Sequence, residues 1–195
     1  MKLRYCWFLA VALFWTGCGR EERREAIAFS KFLAQKKADF AAANALEKDL
    51  LGSTRSWCEG IISNGAGHGK ELDENADSAK QLAQSVSVVT SQLGQLRQAV
   101  YDWPLKQEYP QTVRSALVNQ LMKRQRMLQD VRATLTAAAT DFLGFRQSRA
   151  YTGDTYPAGI DKLNSMLGTY SSPEDSLGKA IDDLKTKYKL SDADL

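Results

Sequence analysis

A glycine-rich segment, Gly65-Ala66-Gly67-His68-Gly69-Lys70, is the first place where the residue types suggest chemistry. A phosphate-binding P-loop needs a glycine five places before its Gly-Lys pair and a serine or threonine directly after that pair. Asn64 and Glu71 occupy these two positions, and no β-strand pattern precedes the segment. The spacing therefore argues against nucleotide binding. It predicts an exposed flexible loop, because three glycines raise the entropy cost of ordering the backbone.

His68 is the only histidine of the chain. Zinc and haem sites recruit two or more His or Cys ligands, and the chain contains neither an HExxH nor a CxxCH pattern. A Ser-His-Asp or Cys-His catalytic set would also need this one residue. We therefore predict a surface histidine, no metal site and no cofactor. Weak binding of a metal by His68 with Glu71 or Asp73 is the alternative.

Paired carboxylates that could hydrolyse a substrate must converge in a cleft. The acidic residues of 73–77 precede a helix pattern, where acids favour the helix N-terminus. Asp182 and Asp183 fall on the polar face of a short amphipathic stretch. Both groups predict capping and solvation, so we predict that the chain is not an enzyme and has no catalytic residues.

Cys58, next to Trp57, is a possible reactive thiol. A free cysteine more often behaves as a small buried hydrophobic residue, which is the prediction for Cys58. An intermolecular disulfide and a redox role remain alternatives.

Lys123, Arg124, Arg126 and Arg132 form a predicted basic patch on one helix. Arg124 is the one charge on the apolar seam of that helix, where burial without a partner would be costly. In one interpretation, the aliphatic stem of Arg124 covers apolar surface and its guanidinium reaches water. This interpretation predicts that Arg124→Leu stabilises the domain. The other interpretation makes Lys123, Arg124 and Arg126 interaction residues for anionic phospholipid headgroups or an acidic partner.

The N-terminal segment MKLRYCWFLAVALFWTGC has three parts. Basic residues come first, an apolar run from Tyr5 to Trp15 follows, and Thr16-Gly17-Cys18 closes it. This layout is typical of a secretory signal. It resembles the signal of bacterial lipoproteins, whose lipobox places small residues directly before an invariant cysteine, with Trp15 here at a position where leucine is usual.

The resemblance implies a lipid anchor. Cys18 would carry a diacylglycerol on its sulfur, the chain would be cut after Gly17, and the new amino group would often be acylated. Two or three acyl chains would give stable membrane attachment. Gly19 rather than Asp follows the cysteine, which favours the outer over the inner membrane by the family rule.

Two alternatives to a lipoprotein signal remain open. The first is a plain secretory signal cut near residues 17–19. The second is an uncut anchor, although the apolar run is roughly half of the ~20 residues that a membrane-spanning helix needs.

Composition limits the possible partners. Removal of residues 1–17 takes away two basic residues and no acid, so the net charge falls from +3 to +1. A near-neutral domain lacks the basic excess of nucleic-acid-binding proteins, and we predict no nucleic-acid partner.

Helix A is predicted over about residues 21–51, with Gly52 as its stop. Glu47 is placed on the polar face of this helix. Residues 57–62 either continue the helix or form a separate turn. The apolar face of helix A holds Phe29, Leu33, Phe40, Ala43 and Leu50.

Two further helices carry apolar seams with alternating steps of three and four residues, which place each seam on one helix face. The seam of helix B holds Leu72, Ala79, Leu82, Val86, Val89, Leu93, Leu96, Val100 and Trp103. The seam of helix C holds Leu117, Leu121, Arg124, Leu128, Val131, Leu135, Ala138, Phe142 and Phe145. The short proline-containing link between them predicts an antiparallel hairpin. The seams are predicted to form the core within one chain. The alternative is that they pair the chain with a second copy or with another envelope protein.

The predicted fold class is all-α, an antiparallel three- to four-helix bundle with long heptad-patterned helices and a short C-terminal helical pair. The predicted domains are a signal peptide (1–17), a lipid anchor and stalk (18–25), the bundle (26–147) and a C-terminal helical hairpin (148–195). The last helix is predicted to start at Ser172, as a cap, with Pro173 in its first position.

These features predict a lipid-anchored protein of the bacterial cell envelope that faces the periplasm. Its non-catalytic bundle would be a scaffold or protein-interaction module, with the membrane and an envelope protein as partners. The alternative is a periplasmic small-ligand-binding or sensor bundle, with a site between the helices or among Tyr151, Tyr156, Tyr170 and Tyr188.

Overall fold

The computed structural model describes residues 4–148, 151–153, 155–170 and 175–194, with side chains from Gly19 onward. Within these residues the chain is helical and contains no strand. The all-α fold class is confirmed, and the long helices α3 and α4 pack against each other. The helices are α1 (Arg4–Gln35), α2 (Lys37–Asn64), α3 (Lys70–Tyr101), α4 (Glu108–Gln147), α5 (Ala158–Thr169) and α6 (Ser176–Tyr188).

Both predicted seams are buried within this one chain. Every residue of the helix B seam is buried except Leu82 on α3 and Trp103, which lies just after α3; both are partly exposed. On α4, every seam residue is buried except Phe145, which is partly exposed. The alternating spacing therefore identified the core faces of the two longest helices, because residues three and four apart lie on the same side of a helix.

The predicted bounds of helix A were wrong. The chain forms α1 and α2 instead, separated at Lys36, whose backbone N–H contacts the carbonyls of both Phe32 and Leu33 at 3.2 and 3.1 Å. Gly52 does not end a helix, and α2 continues to Asn64. The apolar face of α2 continues beyond Gly52, and its burial offsets the penalty of about 1 kcal/mol for glycine in a helix.

The start of the last helix was also predicted wrongly. Helix α6 begins at Ser176, and the carboxylate of Asp175 caps it by accepting the N–H of Gly178 at 2.8 Å. Ser172 and Pro173 lie outside the described residues. On α5, the predicted apolar face is confirmed, since Ile160, Leu163 and Leu167 are buried.

The chain divides into two compact units. The first unit contains Met1–Ala38, Gln98–Gln120 and Asp175–Leu195, and in it α1 packs against α6. The second unit contains Asp39–Arg97 and Leu121–Glu174. Helix α5 thus belongs to the second unit and α6 to the first, while the domain boundary placed at 147/148 from the sequence stays a prediction.

Close packing fixes α5 within the second unit. A Cβ atom added to Gly159 would lie 3.5 Å from the Thr134 side chain and 3.8 Å from Ala138, so α5 lies directly against α4. At the other end of α5, the Arg55 guanidinium of α2 donates a hydrogen bond to the Leu167 carbonyl. The second unit is therefore built from four helices that include α5.

Candidate functional site

Arg124 is part of a buried network that we call the ionic cluster, made of Asn44, Glu47, Arg124 and Tyr170. Arg124 is 8% exposed and Glu47 is 0% exposed. The Arg124 Nε donates to Glu47 Oε2 at 2.9 Å, and Nη2 donates to Asn44 Oδ1 at 2.7 Å and also to Glu47. The Tyr170 hydroxyl donates to the other oxygen of Glu47, Oε1. The cluster therefore joins α2, α4 and the end of α5.

This geometry corrects two predictions. The Arg124 guanidinium does not reach water, and Glu47 does not lie on a solvated face. Burial of one charge alone would be very unfavourable, and a hydrogen-bonded partner of opposite sign makes it tolerable. Burial, with the hydrogen bond to Glu47, raises the pKa of the Tyr170 hydroxyl, so this group stays protonated as a donor. Arg124→Leu is accordingly expected to destabilise the chain, the reverse of the sequence-based prediction.

The predicted basic patch is not one surface. Lys123, Arg126 and Arg132 are exposed, but Arg124 faces the core. Lys123 and Arg132 are nine positions apart, and at about 100° per residue they lie on opposite sides of α4. Lys123 and Arg126 remain on the surface as interaction candidates, and the Arg126 guanidinium lies 3.7 Å from the Met122 sulfur.

The glycine-rich segment forms a loop between α2 and α3, as predicted, while its flexibility stays a prediction. Ala66 is fully buried, and its carbonyl accepts the Asn75 side-chain amide at 3.1 Å. Glu71 Oε2 accepts the backbone N–H of His68 at 2.9 Å. Gly67 has φ +71°, and a Cβ there would overlap the Glu71 side chain. These contacts connect the loop to the first turns of α3.

A cavity of about 370 Å³, which we call the loop cavity, opens beside this loop. The last turns of α2, the loop and the first turns of α3 form its walls. Its lining residues are Ser56, Trp57, Gly60, Ile61, Asn64, Gly65, Ala66, Gly67, Glu71, Glu74 and Asn75. Two carboxylates and one indole thus share a space large enough for a small molecule.

His68 lies at the surface, as predicted, with its ring held by aromatic and backbone contacts. The imidazole meets the Tyr151 ring edge-on at a centroid distance of 5.9 Å, and Tyr151 stacks on Phe145 at 4.8 Å. Gly153 has φ +87°, and any Cβ there would overlap the imidazole. The other residue considered as a metal ligand, Asp73, pairs with Arg146. Among the described residues, no three His, Cys, Asp or Glu side chains form a metal-binding group.

Cys58 is fully buried on α2, as predicted. Burial, reinforced by the nearby Glu59 carboxylate, raises the pKa of its thiol to about 11. The neighbouring Trp57 packs edge-on against Phe142 at a centroid distance of 6.1 Å. A thiol with this pKa is protonated at neutral pH and is a poor nucleophile.

The remaining candidates are dispersed. Asp182 and Asp183 are exposed on α6. The four tyrosines of the proposed aromatic tail have separate partners: Tyr151 contacts His68, Tyr156 contacts Asp161 at 3.1 Å, Tyr170 contacts Glu47, and Tyr188 contacts Tyr109 in the first unit. A ligand site among these four residues stays a prediction.

The predicted lipid attachment residue, Cys18, falls on α1, and its side chain lies outside the described residues. Residues 1–3 of the predicted signal peptide also lie outside them. Over the described part of the chain, no helix is both long and apolar enough to cross a membrane.

Comparison with known proteins gives no relative. No protein-family model matches the chain, and no curated protein or solved structure matches it. The site must therefore be interpreted from its own geometry.

Sequence reasoning missed Glu47, although a signal was present. Phe40, Ala43, Glu47, Leu50 and Thr54 follow the same alternating three- and four-residue steps, which put Glu47 on the buried face of α2. No comparable signal marked the loop cavity, because its walls come from the tertiary arrangement of a loop and two helix ends.

Proposed function

We propose that this protein is a lipid-anchored component of the bacterial cell envelope, whose helical domain is a non-catalytic scaffold or protein-interaction module. The observation that carries the proposal is the order of residues 2–18, in which basic residues, an apolar run and a cysteine follow one another. The non-catalytic part rests on the sequence, which offers a single histidine and no known catalytic motif.

The internal construction of the second unit supports a scaffold role. A scaffold must present its surface in a constant geometry, and buried polar networks can specify one packing arrangement over others. The ionic cluster connects α2, α4 and α5, and the Arg55 contact to the Leu167 carbonyl holds α5 at a second point. Burial of the seams on α3 and α4 leaves polar helix faces for contact with a partner.

The anchor is tested by membrane fractionation of the full chain and of Cys18→Ala. We expect the wild-type chain to sediment with membranes and to need detergent for release, because acyl chains hold it there. We expect the variant to lack the lipid. Cys6→Ala is the matched control, since Cys6 lies in the segment expected to be removed, and it should behave as the wild type.

The scaffold role is tested by crosslinking in cells, followed by purification of the detergent-solubilised chain. A specific envelope protein that is recovered with the chain would support the proposal. Recovery of the monomer alone under all growth conditions would contradict the scaffold role. Equal membrane association of Cys18→Ala and wild type would contradict the anchor.

A further inference from the structure

We propose that the loop cavity binds a small organic cation, carrying a primary amine or a quaternary ammonium group. This inference goes beyond the anchored scaffold and holds whether or not Cys18 is lipidated. It gives the small-ligand alternative a defined place in the molecule, at the end of the second unit where α2 turns into α3.

The charge of the walls favours a cation. Glu71 and Glu74 line the loop cavity, and the described lining residues include no lysine, arginine or histidine. Lys70 is a competing cation, with its Nζ 2.8 Å from Glu74 Oε1. Its side chain is 88% exposed and that of Glu74 is 61% exposed, and ion pairs at such exposure contribute little. A ligand cation can therefore replace Lys70 beside Glu74 at little cost.

The partial negative charge at the C-terminus of α2 also favours a cation in the loop cavity. Helix α2 ends at Asn64, and its last carbonyls carry the partial negative charge of a helix C-terminus. One of them, the Ile61 carbonyl, is taken by the Gly65 N–H at 2.9 Å. The N-terminus of α3 has the opposite sign, but the Glu71 carboxylate in its first turn counters this partial charge.

The aromatic wall and the size of the space favour an organic cation over a metal ion. Trp57 supplies an indole, the side chain that attracts cations most strongly through its ring face, and the contact with Phe142 fixes its orientation. A volume of about 370 Å³ lies at the lower end of the range for small-molecule sites.

The inference is tested by isothermal titration calorimetry on the full chain in a maltoside detergent. The probes are choline, ethanolamine, the neutral choline isostere 3,3-dimethylbutan-1-ol, and inorganic phosphate. We expect saturable binding of choline or ethanolamine and none of the other two. Absence of binding by both cations, equal binding of the neutral isostere, or binding of phosphate would each overturn the proposal.

A cavity-filling variant locates the site without weakening the fold. Gly60 lines the loop cavity, lies on α2, and has no atom within 4 Å of an added Cβ. Gly60→Leu therefore fills the space and improves helix propensity. Gly52→Leu is the matched control, because Gly52 is also an exposed α2 glycine with open space but does not line the cavity. We expect Gly60→Leu to lose binding and Gly52→Leu to retain it; retention by both would overturn the assignment.

A charge variant tests the electrostatics. Glu74→Gln removes one wall charge and leaves the Glu71 contact to the His68 N–H in place. We expect cation affinity to fall about two- to fivefold, as for the loss of one exposed ion pair. Glu59→Gln is the control, since Glu59 is an exposed glutamate on α2 that does not line the cavity. Unchanged affinity in Glu74→Gln, or an equal loss in the control, would contradict a charge-selective site.

Discussion

The ionic cluster and the loop cavity both bring carboxylates into the second unit, but they leave those carboxylates in different states. Glu47 is fully buried, and both of its oxygens accept hydrogen bonds from Arg124 and Tyr170. Glu74 is largely exposed and pairs with the exposed side chain of Lys70. A buried carboxylate with hydrogen-bond partners fixes the positions of the helices it joins, whereas a solvent-exposed carboxylate beside a cavity is available to a ligand.

Arg124→Leu is expected to have the largest effect, because it leaves Glu47 as an unpaired charge in the core. We expect the free energy of unfolding to fall by about 3–5 kcal/mol, measured by urea denaturation. Arg126→Leu is the control, since Arg126 is exposed on the same helix, and it should change stability by less than about 0.5 kcal/mol.

The double variant Glu47→Leu/Arg124→Leu sharpens this prediction. Removal of both charges eliminates the unpaired carboxylate, so we expect the double variant to recover most of the stability that Arg124→Leu loses. A double variant no more stable than Arg124→Leu would contradict the account of Glu47 as the residue that Arg124 neutralises.

Gly67→Ala should have the next largest effect, and it tests whether the loop beside the cavity is ordered. The new Cβ would sit at φ +71° and overlap the Glu71 side chain, so we expect a loss of about 1–3 kcal/mol. Gly69→Ala is the matched control, because Gly69 also has positive φ (+51°) but open space around an added Cβ. Equal losses in urea denaturation would show that the Glu71 contact does not hold the loop.

Tyr170→Phe removes one donor from the ionic cluster. We expect a loss of about 1 kcal/mol, with faster amide hydrogen exchange in α5, because the phenol joins the end of this helix to Glu47. Tyr156→Phe is the control, since that hydroxyl contacts Asp161 at the surface. Unchanged amide hydrogen exchange in α5 would show that the Tyr170 hydroxyl does not hold the end of this helix to the ionic cluster.

Cys58→Ala should produce the smallest effect, seen as a change in the pH dependence of stability. Burial raises the pKa of this thiol from 9.0 to about 11 in the folded chain. The stabilisation from the neutral buried thiol is complete below pH 9 and is lost as the pH rises towards 11, because the unfolded state releases its proton first. Urea denaturation at several pH values should therefore show a flatter decline between pH 9 and 11 in the variant. An unchanged slope would place the thiol in contact with water.

Periodic apolar spacing was the part of the fold that the sequence predicted well. The seams of α3 and α4 are core faces because helical geometry alone relates residues three and four apart. Gly52 was misjudged because glycine propensity is a weak local preference, whereas burial of Thr54, Cys58 and Ile61 keeps the helix intact. Local signals thus failed where packing of a longer element decided the outcome.

The two polar sites differ in how far the sequence could predict them. Arg124 was identified as unusual, and the spacing around Glu47 was sufficient to place that residue on the buried face of α2, but not to pair the two. Tyr170 could not be assigned, since its contact with Glu47 spans 123 positions of the chain. The loop cavity could not be predicted either, because Trp57, Glu71 and Asn75 line one space only after α2 and α3 have packed.

Intact and peptide mass spectrometry of the protein purified from bacterial membranes would show whether Cys18 carries a lipid. We expect a mature chain that begins at Cys18, with the mass of a diacylglycerol on that residue. A mature chain with an unmodified amino terminus, released without detergent, would contradict this expectation.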